Sequence, residues 1–211
     1  MDENAREGQA GALAGWPGVA GSLFGENEAL LAFLRGTARP HVAAVRALPE
    51  GARDPQLARA LEGDVERLWA VYLHYLLKED LLLPYLADHG ATDPHVEEEA
   101  DDEARTCLDM ARSLVAGATG HPTASNLASA ADQVEDACAA VGRVAKAENE
   151  ALLPLAVEVL GAAEWRAIEA GRLLYPGEPQ PGAPLWPSPV GRMEAAVRHA
   201  IETGRLPGAR P

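Results

Sequence analysis

The chain has 211 residues, of which 47% are hydrophobic and 24% charged, and its formal net charge is -14. The length suits one domain with terminal extensions, and the acidity excludes a phosphate-binding face for nucleic acid and disfavours an anionic membrane surface. Two cysteines, Cys107 and Cys138, make no CxxC pair, which excludes a zinc ribbon or a thioredoxin-like motif; each falls within a helical pattern and is expected to be a buried thiol. The N-terminus, Met-Asp-Glu-Asn, has the wrong charge for a secretory leader, and no apolar run reaches transmembrane length. The expected location is therefore the cytoplasm.

In chain order, residues 1–20 are rich in Gly and Ala without periodicity and read as a flexible lead-in. A first helix is predicted over 25–48, kinked or split by Gly36 and Pro40. A second starts at Asp54 as N-cap with Pro55 in the first helical position, runs to 88 and is stopped by Gly90. A third starts at Asp93 and Pro94 and ends near 117; a fourth runs from about 122 to 160. A short helix follows at 164–170, then a proline-rich extended stretch at 176–189 containing Trp186, then a last short helix at 190–203. Four long helices with short connections predict an all-α, antiparallel four-helix bundle over 21–175, with 176–211 as a proline-rich wrap and short C-terminal helix.

The apolar seams agree with this. On the second helix, Leu61, Val65, Leu68, Tyr72, Tyr75, Glu79, Leu82 and Leu86 alternate by threes and fours. On the fourth, Leu127, Ala131, Val134, Cys138, Val141, Ala145, Glu148, Leu152, Leu155 and Val159 do the same. The third is weaker, with Val96, Ala100, Glu103, Cys107, Met110 and Leu114 as its seam. Glu79, Glu148 and, less securely, Glu103 interrupt these seams. A buried carboxylate is costly unless it is paired, protonated or metal-bound, and converging carboxylates inside a bundle are how non-haem metal sites are built. Taken singly, each acid reads as a solvated or salt-bridged residue sooner than as a ligand, and His74 as a packed histidine beside Trp69 and Tyr75. His74 and Glu79 are five residues apart, about 140° around a straight helix, so they do not share a face and reach one metal either from its two flanks or where the helix is widened locally. Pro84, which crowds the carbonyl of Asp80, favours such a bulge.

Residues 73–90, LHYLLKEDLLLPYLADHG, resemble the signature of a bacterial branch of the hemerythrin-like (HHE cation-binding) family, H-Y-x-x-K-E-x-x-L-x-P-Y-L followed by an H-G turn. A related motif, A-E-N-E-A-L-L-P, recurs at 147–154. Ala163-Glu164-Trp165 through Ile168, Trp186-Pro187, and Glu26-Asn27-Glu28-Ala29-Leu30 match further features of that branch, so that the resemblance spans roughly 21–187. It implies a non-haem iron centre held by His, Glu and Asp. By position, His74 and Glu79 correspond to second-helix ligands and Glu26 to a first-helix carboxylate. Asp101 stands where the third helix carries a histidine, and Glu148 is the acid nearest the fourth-helix ligand position, beside Asn149. Histidines of the family pattern are replaced by Gly21 and Asp101 and are missing near Val144 and Asn149. His95, at the start of the third helix, is a substitute ligand or an exposed residue among Glu97, Glu98 and Glu99. His41, His89, His121 and His199 have no metal-like partners in sequence.

Three functions follow as expectations. The first is a metal-binding protein, with iron or manganese and the metal ion as its partner, for iron, oxygen or redox sensing. The second is a metal-free bundle acting as a regulatory or interaction module. The third is a non-haem metal oxidoreductase, for which no substrate is indicated and in which Cys107 and Cys138 are a candidate redox pair.

Overall fold

The computed structural model describes residues 16–172. Among these residues the chain is helical almost throughout, the only strand-like feature being an isolated bridge between Arg53 and Thr123. The first run is α1 (Gly18–Phe33), a π-helical turn (Leu34–Ala38) and α2 (Arg39–Arg46). The second is α3 (Pro55–Trp69), α4 (Val71–Leu77), a π turn (Lys78–Leu82) and α5 (Leu83–Asp88). Helix α6 (Pro94–Gly120) is the third, and α7 (Ala124–Ala147), a π turn (Glu148–Leu152) and α8 (Leu153–Val159) make the fourth. The short α9 (Ala162–Arg172) closes the described chain. No helix among the described residues is long and apolar enough to cross a membrane.

Local chemistry sets the boundaries. Asp54 Oδ1 accepts from the amides of Gln56 and Leu57, both at 2.9 Å, and Pro55 follows it at the helix start. Gly90, at φ +65, turns the chain after α5. Thr123 Oγ1 accepts from the Asn126 amide at 3.3 Å and starts α7. The connections before α3 and before α7 are tied together by Asp54 N to Pro122 O at 3.1 Å and Ala124 N to Ala52 O at 2.8 Å. Each π turn begins six residues before a proline, namely Pro40, Pro84 and Pro154. A proline inside a helix lacks its N–H and pushes on the carbonyl four residues back. Admitting an extra residue into the turn widens it and relieves that contact, so the bulge expected at Pro84 is present and has two counterparts.

The structure also corrects the sequence reading. Helix α1 starts at Gly18, not 25, because Val19, Ala20, Leu23 and Phe24 are buried against Leu83, Ala156 and Trp165; residues 18–20 are thus helix and not lead-in. On α6 the buried line is Asp101, Ala104, Leu108, Ala111, Val115 and Ala118. The expected seam is outside instead: Val96, Ala100, Glu103, Met110 and Leu114 are exposed and Cys107 is half-buried. Small residues win the inner face because α6 and α7 pack along most of their lengths, and alanine lets two helices approach closely. Cys138 is buried as expected. The stretches 176–189 and 190–203 lie outside the described residues, as do residues 1–15 of the lead-in.

Asp54→Ala removes the acceptor for two otherwise unpaired amides and is expected to cost about 1 kcal/mol of unfolding free energy. Asp54→Asn retains most of it. Denaturant unfolding of the two variants beside the parent is the check, and equal losses for Ala and Asn would mean the cap contributes nothing.

Candidate functional site: a buried charged layer

The core is divided in two. One apolar cluster contains Leu30, Leu34, Leu68, Val71, Tyr75, Ala104, Leu108, Val141 and Ala145; the other contains Leu23, Phe24, Leu82, Leu83, Leu86, Leu152 and Leu153. Between them each helical run places a polar side chain at the same depth. Asn27 lies between Phe24 and Leu30, and Lys78 between Tyr75 and Leu82. Asp101 precedes Ala104 by a turn, and Glu148 lies between Ala145 and Leu152. His74 sits a turn before Lys78. All five are at most 2% exposed. Lys78 and Glu148 are each the first residue of a π turn, so the widened backbone faces this layer on both helices.

Glu148 is the hub. Its Oε1 accepts from Lys78 Nζ at 2.7 Å, and its Oε2 lies 2.7 Å from His74 Nε2 and 2.8 Å from Asn27 Nδ2. Lys78 Nζ also donates to Asp101 Oδ1 at 2.7 Å. The other imidazole nitrogen, His74 Nδ1, lies 3.0 Å from Glu26 Oε2. Asn27 further donates to Asn149 Oδ1 at 3.0 Å, which settles the fourth-helix register: Glu148 points inward and Asn149 sits beside it. Arg172 of α9 caps the outer side, donating to Ser22 Oγ at 2.9 Å with Glu26 Oε1 at 3.8 Å. Among the described residues, two buried polar atoms have no hydrogen-bond partner, Tyr75 Oη and Asp101 Oδ2.

The charges sustain one another. Burial alone would lower the His74 pKa, but the carboxylates of Glu148 and Glu26 outweigh it and raise it to about 10. Burial would raise Glu148, but His74 and Lys78 hold it at about 2. Lys78 is likewise raised against its own burial by Glu148 and Asp101. Asp101 is pushed up to about 7, first by burial, with Lys78 pulling it down and Glu148 and Glu79 adding to the rise. The cations His74 and Lys78 thus stand directly against the carboxyl groups of Glu148, Glu26 and Asp101, and the layer's acids are compensated from within the protein.

Of the sequence-derived site residues, the structure brings together His74, Glu26, Asp101 and Glu148. Glu79 stands at the edge of the layer: it is half-buried, paired with Arg105 at 2.7 Å, and acts on Asp101 from there. Glu103 is on the surface with Arg143. The His95 side chain lies outside the described residues. His41 has the partner that the sequence did not show, the buried Asp64 at 2.7 Å. Cys107 and Cys138 are both free thiols, the first half-buried and the second buried.

Sequence reasoning missed Lys78 and Asn27. Both lay inside quoted motifs, and Tyr75, Lys78, Leu82 is as good a seam as Tyr75, Glu79, Leu82. Lysine is almost never fully buried unless paired, and its partners, Asp101 and Glu148, are on other helices. As arranged, these donors do not fit a metal ion. A doubly hydrogen-bonded imidazolium has no lone pair to give, since metal ligands must be deprotonated, and the Lys78 ammonium occupies the space between Asp101 and Glu148. Among the described residues no group of three or more His, Cys, Asp or Glu is disposed to hold a metal. No family model, no curated protein and no solved structure matches this chain.

Lys78→Met leaves two buried carboxyls without their cation and is expected to destabilise by about 3–5 kcal/mol. Lys78→Met combined with Asp101→Leu should recover part of that, because one of the two acids left without a partner goes as well; denaturant unfolding of the single and double variants measures both.

The pH dependence follows from the signs of the shifts. His74 is raised from 6.5 to about 10, so its contribution is complete below 6.5 and is lost as pH rises through about 10. Glu148 is lowered from 4.5 to about 2, so its contribution is complete above 4.5 and is lost as pH falls through about 2. Asp101 is raised from 3.8 to about 7, so folding favours its protonated form and stability declines as pH rises through about 7. Stability should therefore fall on the alkaline side between 6.5 and about 10, and His74→Gln should flatten that limb. Parallel pH profiles for parent and variant would show that the imidazolium contributes nothing.

Proposed function

We propose that the chain is a hemerythrin-like, antiparallel four-helix bundle in which an internal cation pair, Lys78 and His74, stands where that family holds iron, and that it acts in the cytoplasm as a metal-independent regulatory or protein-interaction module. The observation that carries this reading is the Lys78 ammonium, 2.7 Å from both Asp101 Oδ1 and Glu148 Oε1. The H-Y-x-x-K-E motif at 74–79 and the A-E-N-E-A-L-L-P motif at 147–154 support the family assignment. Four helical runs joined by short connections support the antiparallel arrangement. A layer whose acids are already paired with Lys78 and His74 has little electrostatic demand for a divalent ion.

A second reading, a metal-binding protein for iron or manganese, is favoured by one observation: His74, Glu26, Asp101 and Glu148 converge from four helical runs. Binding there would require Lys78 to withdraw and His74 to lose a proton, so affinity would rise with pH.

Elemental analysis of the purified, untagged chain, followed by titration with Mn(II) and Fe(II) under anaerobic conditions, separates the two. The metal-independent reading expects no stoichiometric metal in the parent and no gain in melting temperature on titration, since a ligand that binds only the folded state must add stability. It also expects Lys78→Ala, which removes the competing ammonium from the acidic layer, to gain affinity for the divalent ion. Retention of about one or two ions per chain by the parent, lost in a His74→Ala/Glu148→Ala variant, would establish the second reading instead.

A further inference from the structure

Among the described residues, the large apolar side chains classed as exposed are Leu76, Val96, Met110 and Leu114, and three of these four belong to α6. Val96 is 62% exposed, Met110 49% and Leu114 42%. With Ala100 and the half-buried Cys107 they recur by threes and fours along one line of the helix, the spacing of a seam that packs against another helix. None of the helices in the described chain covers it. Glu103, on the same line, and Asp136 of α7 both raise the pKa of Cys107 and so lie close to it. Glu103 and Asp102 are paired with Arg143 and Arg105, and the exposed Glu99 adds to the acidity of the N-terminal half.

We propose that this stripe is the docking face for the chain's own C-terminal segment, residues 190–203. Charge disfavours a second copy, which would bring another acidic helix and a net charge of -14. Residues 190–203 are balanced instead, Arg192 and Arg198 against Glu194 and Glu202, with Arg205 and Arg210 following. Pattern agrees: at 100° per residue, Val190, Met193, Val197 and Ile201 fall on one face of a helix. Length allows it. The described chain ends at Arg172, leaving 173–189 as a tether of up to roughly 55 Å when extended. Helix α6, with 27 residues, is about 40 Å long. A tethered segment meets its face at high effective concentration, so modest contacts hold it.

Cys107 provides a native reporter at the middle of the stripe, and Cys138, fully buried, stays silent. In the full-length chain, the rate of Cys107 alkylation is measured by mass spectrometry for the parent, Met193→Asp and Val197→Asp. A docked segment protects the thiol, so each variant should react roughly tenfold faster while the melting temperature set by the bundle is unchanged. In a Val197→Cys chain, a short bismaleimide should join Cys107 to the introduced thiol within one molecule, with a yield independent of protein concentration. Equal alkylation rates in parent and variants, with no intramolecular cross-link, would overturn the proposal. Cross-links that form only between molecules and grow with concentration would overturn it as well, and would assign the stripe to a second copy.

Discussion

The structure depends on one ammonium group. Lys78 is 1% exposed and sits 2.7 Å from a carboxylate oxygen on each of two neighbouring helices. Burying a charge is expensive, and burying three without mutual compensation is not sustainable in a core of this size. Each charge of the layer is therefore a condition for the others. Lys78 allows Asp101 and Glu148 to face inward, Glu148 keeps His74 protonated, and Asn27 and Glu26 take up the remaining hydrogen-bonding capacity. Such a layer adds little to net stability but defines the register of four helices at once, because any axial slip would strand a charge in one of the apolar clusters on either side.

The prolines act on the same layer through the backbone. Pro84 and Pro154 each force a widened turn that begins at Lys78 and at Glu148. A straight helix cannot bring the residues before and after the proline to one face, and the extra residue in the turn resets the phase. The hydrophobic seam thus continues from Tyr75 to Leu82 and from Ala145 to Leu152 across a polar interruption. The repetition of the device in three helical runs, at Pro40 as well, makes it part of the architecture and not a local irregularity.

Helix α6 shows the reverse case, in which residue size and not charge decides the face. Its inner line alternates alanine (Ala104, Ala111, Ala118) with Leu108 and Val115, with Asp101 at its start, while Val96, Met110 and Leu114 are outside. The packing of α6 against the second run brings Asp101 within reach of Lys78. The exposed Met110 and Leu114 follow from that same packing.

The sequence by itself determined the helical class, the helix starts at Asp54, at Asp93 and near Pro122, the stop at Gly90, and the seams of the second and fourth helical runs as far as their bulges. These are local: a side-chain oxygen reaching an amide two or three residues on, a proline at a first turn, a period set by 3.6 residues per turn. It also indicated His74, Asp101, Glu26 and Glu148 as unusual, because polar groups in apolar patterns are legible one helix at a time. Only the tertiary structure decided the face of α6, the partner of Glu79 and the burial of Lys78. Those depend on which helices approach one another and how closely, and a lysine becomes a core residue only when carboxylates from two other helices arrive at its nitrogen.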